Sequence, residues 1–154
     1  GLRPGLDGGG QPPLSGPGAM TAQHLRDLVA RFEAHDIDPG AFHHAEHVYV
    51  AHALLAKHDF IDATALYAKG IRAIAAKAGA LEKFSLTITY AFMSVIAERM
   101  ADGDREDAEA FAAANPDIMS KHLLSAWYAP ERLHSRLARQ VFLLPDLQAP
   151  ESRD

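Results

Sequence analysis

The 154-residue chain contains no cysteine. That removes disulfides, thiolate metal ligands and thiol nucleophiles together. Any bound metal must therefore be held by nitrogen and oxygen donors, a set that suits Zn, Fe, Mn, Ni or Cu(II). A membrane-length apolar run is also missing. The longest, residues 84–97, spans about 14 residues and is interrupted by Ser85, Thr87, Thr89 and Ser94, whereas a bilayer requires ~20. There is no basic block either. With 15 basic residues against 20 acidic ones and a net charge of −5, the chain has no surface suited to a nucleic-acid backbone. Alternating β-type patterns and internal repeats are absent as well, and the apolar fraction of 48% is ordinary for a globular protein.

What is present is helical periodicity. Residues 1–19 are rich in Gly and Pro and read as a disordered or artificially appended tail, with Met20 as the natural start. The helical domain is expected over residues 20–146, followed by a C-terminal tail over 147–154. Leu25, Leu28, Val29 and Phe32 recur at three- and four-residue spacing behind Thr21, a suitable N-cap. Asp36 to Gly40 forms a turn. Further helices are expected over about 41–57, about 60–78 with Gly79 as terminator, and about 81–101, the last being the most apolar and so expected at the centre. Asp104 is placed to cap a short acidic helix through Ala114. Asn115-Pro116-Asp117 opens another through Trp127, Pro130 opens a last short one, and Pro145 and Pro150 mark a loose tail. These elements make a single-domain, all-α bundle of five to seven helices. A cytoplasmic location is the default expectation.

The chemistry concentrates in Phe42 to His52, which holds four of the nine histidines and Glu46 within one expected helix. Imidazole is the commonest metal ligand and titrates near neutrality. Helical neighbours three or four residues apart share a face, so His44 pairs with His47 and His43 also pairs with His47. Two imidazoles one turn apart can grip a divalent metal ion. Glu46 lies about 100° round the helix from His47, placed for acid/base work rather than ligation. His52 points away from His47, and His58 falls about 21 Å along the axis from His44, too far for the same site. A third ligand must come from elsewhere. Glu98, flanked by Val95, Ile96 and Ala97, is the first candidate metal ligand, although a carboxylate so near a helix end also suits solvent. His122 and His134 follow, each equally readable as a surface or capping histidine.

His35-Asp36 and His58-Asp59 superficially match the doublet of HD phosphohydrolases. Both sit at expected helix ends, where Asp caps, and are read as caps. Ser85, Thr87, Thr89 and Tyr90 add hydroxyls to an apolar helix. Thr hydroxyls commonly bond back to the preceding turn. The alternative puts Ser85 and Thr89 on the wall of a ligand or cofactor pocket facing His44 and His47, with Tyr90 beside them.

Five short motifs, Phe42-x-His44-x-x-His47-Val48, Lys83-Phe84-x-x-Thr87-Ile88-Thr89, Asn115-Pro116-Asp117, Tyr128-x-Pro130-Glu131-Arg132-Leu133 and Phe142-x-x-Pro145-Asp146, together resemble a group of small bacterial all-α proteins. The resemblance implies that His44 and His47 are the paired positions. It carries no reaction with it. In that group a histidine follows the Lys-aromatic pair, where this chain has Ser85.

Three functions compete. The first is a metal-dependent enzyme or metal-binding protein acting on a small molecule, with His43, His44, His47 and Glu98 as the ligand candidates. The second is metal-free acid/base chemistry, with His47 as base and Glu46 or Tyr90 as its catalytic partner. The third is a non-enzymatic ligand- or protein-binding module, in which Trp127, Tyr128 and Phe142 to Leu144 contact a partner such as a second copy in a homodimer, or simply close the core.

Overall fold

The computed structural model describes residues 20–102 and 107–147. The expected tail at 1–19, all of the expected 147–154 tail beyond Leu147, and the expected cap Asp104 lie outside the described residues. Among the described residues there are seven α-helices and three 3-10 turns, and no strand. The all-α expectation therefore holds, and among the described residues no helix is long and apolar enough to cross a membrane.

Helix α1 (Ala22–Glu33) begins where Thr21 accepts a hydrogen bond from the His24 amide at 3.1 Å. It ends on His35, whose φ of 58° is a left-handed conformation usually given to Gly or Asn. The Asp36 amide then reaches back to the Arg31 carbonyl at 2.8 Å, so the first His-Asp doublet is a helix terminator. A 3-10 turn over Pro39–Ala41 leads to α2 (His44–Lys57). Asp59 caps α3 (Phe60–Lys77) by accepting from the Asp62 amide, which disposes of the second doublet in the same way. Gly79, at φ 70°, terminates α3 as its sequence position suggests.

The centre of the bundle differs from expectation. Helix α2, not α4, is the hub: Val48 to His52, Leu54 and Leu55 are all buried, and the helix packs against α1, α3, α4 and α5. A helix apolar around most of its circumference must be enclosed on most sides. Helix α4 (Leu86–Asp102) starts five residues later than expected, after a separate 3-10 turn at Leu81–Lys83. The cause is Ser85, whose hydroxyl accepts from the Ile88 amide at 3.2 Å and so caps the helix. Helix α5 (Ala108–Ala114) is capped by Asp107.

The helix expected over 115–127 does not form. Those residues make successive turns and a 3-10 turn at Leu123–Ala126. Asn115 and Asp117, whose side chains could have stabilised a first turn, instead receive hydrogen bonds from Arg99 at 2.9, 3.0 and 2.7 Å. Two short helices follow, α6 (Pro130–Leu133) and α7 (Arg136–Gln140). The chain after α7 is not loose through Leu147. Thr87 donates to the Val141 carbonyl and accepts from the Leu143 amide, Tyr128 donates to the Leu143 carbonyl, and the Leu147 amide donates to the Trp127 carbonyl. Tyr128 is buried, whereas Phe142 and Leu144 remain exposed on this strap.

Candidate functional site

A cavity of about 530 Å³ lies where α2, α3 and α4 meet the 115–126 segment and the end of α6. Its volume is that of a small-molecule site. The floor is apolar and buried, formed by Phe92, Leu123, Leu124 and Leu133, with Ile71, Ile74 and Ile88 half-buried around it. His44 and His47 both line it, as do Ser85 and Thr89.

Each imidazole has one nitrogen committed. His44 Nε2 lies 2.9 Å from the Ile118 carbonyl oxygen. A carbonyl only accepts, so Nε2 carries the hydrogen and a neutral His44 is left with Nδ1 as an acceptor. His47 Nδ1 lies 3.0 Å from the Tyr67 hydroxyl. Burial pushes the Tyr67 phenol above its ordinary pKa, so it keeps its proton. Burial, with a smaller contribution from His44, lowers the His47 pKa to about 4. His47 is therefore neutral at physiological pH. The Tyr67 hydroxyl has no other hydrogen-bond partner among the described residues, so we assign its proton to the bond with Nδ1, which puts the His47 hydrogen on Nε2. The two residues then offer one acceptor, His44 Nδ1, and one neutral N–H donor, His47 Nε2.

Aromatic packing holds this arrangement. The Phe42 ring lies 4.7 Å from that of His47, and Phe92 meets His44 edge-on at 5.9 Å. Tyr67 is stacked between Phe32 and Phe92 at 5.8 and 6.0 Å. The two imidazoles are nearly parallel, 6.3 Å apart. Gly70 is what lets Phe32 come close: a Cβ there would fall 2.3 Å from the Phe32 ring.

The other expected site residues lie elsewhere. His43 is exposed at the N-terminus of α2, and Glu46 accepts from the His43 amide at 2.8 Å, which makes it a helix-capping carboxylate. Glu98 is exposed, and neither it nor Tyr90 is among the residues lining the cavity. Among the described residues no group of three His, Cys, Asp or Glu is placed to hold a metal ion. The Thr89 hydroxyl donates to the Ser85 carbonyl at 2.7 Å, the back-bonded alternative, so it presents a satisfied group. His122 and His134 do line the cavity.

Tyr67 and the Ile118 carbonyl were not legible as site groups. For Tyr67 a signal existed: a tyrosine in an otherwise apolar helical stripe needs a partner for its hydroxyl. For Ile118 none did, because any residue supplies a carbonyl. No family model, curated protein or solved structure matches this chain.

Proposed function

We propose that the chain binds a small, mainly apolar molecule in this cavity, with His44 and His47 fixing the molecule's polar group. The observation that carries this reading is the pair of imidazoles, each oriented by a partner on one nitrogen, at the wall of an apolar cavity of about 530 Å³. A hydroxyl or carbonyl-bearing group meets one acceptor and one donor there. The neutral His47 N–H is also the form that polarises a carbonyl without carrying charge into an apolar site.

A fluorescence titration with 9-anthracenemethanol, a neutral apolar probe, tests the reading. Ala75 lines the cavity and Ala76 is its exposed neighbour on the same helix. Dissociation constants of about 1–100 μM are expected for the unmodified chain and for Ala76→Trp. Binding should be lost in Ala75→Trp, which fills the space. Equal binding by the two tryptophan variants would place the probe elsewhere and sink the proposal.

A second reading, a divalent ion at His44, is favoured by the anchoring of that ring, whose Nε2–H donates to the Ile118 carbonyl as the second nitrogen of a metal-ligating histidine characteristically does. His47 would join it only with its hydrogen moved to Nδ1 and Tyr67 as the acceptor. With two protein donors the ion would need the rest from the ligand. Stoichiometric zinc uptake that disappears in His44→Ala would support it, and its absence would remove it.

A further inference from the structure

We infer that the molecule bound here is an apolar carboxylic acid, held as its anion with the hydrocarbon body against α3 and α4 and the carboxylate at Lys83 and Lys121. The inference rests on the small-molecule reading above and narrows it to a chemical class, with the acid group at the rim. His44 and His47 are left to a second, uncharged polar group on the body, since the Nδ1 acceptor of a neutral His44 cannot bond a carboxylate oxygen. Its basis is the distribution of charge around the cavity. Among the described residues no Asp or Glu lines it, whereas Lys83 and Lys121 do, in a chain whose net charge is −5. Neither ammonium group has a hydrogen bond or ion pair among the described residues. The nearest carboxylate in sequence, Glu82, lines an adjoining cleft of about 380 Å³, which Lys83 also borders together with Arg139.

The burial gradient sets the orientation. Tyr67, Phe92 and Leu124 are buried, and Lys83 and Lys121 are exposed. A ligand entering with its apolar end first removes hydrocarbon from water while its charge stays at the wet rim, where a cation meets it without full desolvation. The choice of carboxylate over phosphate follows from the donors. Among the described residues no arginine lines the cavity itself, Arg139 lying in the adjoining cleft, and the cavity rim offers separate point charges rather than the planar fork that suits a phosphate's oxygens.

The matched probes 9-anthracenecarboxylate and 9-anthracenemethanol test this on the full chain at neutral pH and low salt. The acid should bind about tenfold more tightly than the alcohol, the gain expected from two rim cations. The double variant Lys83→Gln/Lys121→Gln should weaken the acid by about tenfold and leave the alcohol within about twofold. Added salt should narrow the preference in the unmodified chain. Equal affinities, or a preference that survives loss of both lysines, would overturn the carboxylate assignment while leaving the cavity as a site. If neither probe binds, the cavity reading falls and the assignment falls with it.

Discussion

The two sides of the cavity are built differently. On one side α2, α3 and α4 present side chains from regular helices, locked by stacked rings around Tyr67 and by burial of most of their neighbours. On the other, residues 115–126 form a run of turns that is anchored in the core by Ile118, Leu123 and Leu124 and shaped by a few polar contacts: Arg99 on Asn115 and Asp117, and His44 on the Ile118 carbonyl. The helical side owes its shape to packing that cannot be altered without disturbing the core. The turn side adds to its own buried residues a few directional bonds that can be cut one at a time without touching the core. A disturbance on the first should therefore appear as lost stability. On the second it should appear mainly as lost binding.

The largest expected effect concerns the neutral His47 of the helical side. Above pH 6.5 the imidazole is unprotonated in both folded and unfolded chains and contributes no pH dependence. Between 6.5 and about 4 the unfolded chain takes up a proton that the folded chain refuses. Acidification therefore favours unfolding, by about 3 kcal/mol when pH 4 is reached. The Arg99 hydrogen bonds, which hold the Asp117 carboxyl below its ordinary pKa, add a loss at the acid end of that range. Urea denaturation at pH 7 and pH 4 should show a smaller acid loss in His47→Gln, which keeps an acceptor for Tyr67. Identical pH slopes would mean that His47 titrates normally and is not enclosed.

Gly70→Ala comes next. The added methyl meets a Phe32 ring that is itself buried and stacked on Phe42 and Tyr67, so the ring cannot swing aside. Overpacking should cost about 2 kcal/mol, outweighing the better helix propensity of alanine. A variant as stable as the parent would show that the helical side yields more than its contacts suggest.

The smallest stability change is expected on the turn side. Arg99→Met removes a bidentate pair whose carboxylate is half exposed, and the loss should stay near 1 kcal/mol or below. The same variant should weaken 9-anthracenemethanol by about threefold, because the freed segment must be ordered again on binding. Its neighbour Glu98→Gln should change neither quantity. A loss of stability from Arg99→Met without any change in binding would erase the distinction between the two sides.

The helical side was largely readable in advance because its information is local. Apolar spacing, Thr21, Asp59 and Gly79 announce helices and their ends within a few residues of one another. His44 and His47 share a face for the same reason, and both reach the cavity. Glu46 shows where such reasoning stops. Its distance round the helix from His47 was foreseeable, but its engagement with the His43 amide makes it a cap. The 115–127 segment failed as an expected helix because long-range partners claimed the groups that would have begun it.

By itself, the order of residues determined an all-α chain, the positions of most helices, and a histidine pair one turn apart, since each depends on neighbours within about a turn of helix. Only the tertiary structure decided that α2 is the hub, that Tyr67 and the Ile118 carbonyl steady those histidines, and that two lysines without a partner among the described residues rim the space beside them. Those partners stand 20 to 74 residues away along the chain. Nothing in local periodicity encodes which distant groups folding will bring together.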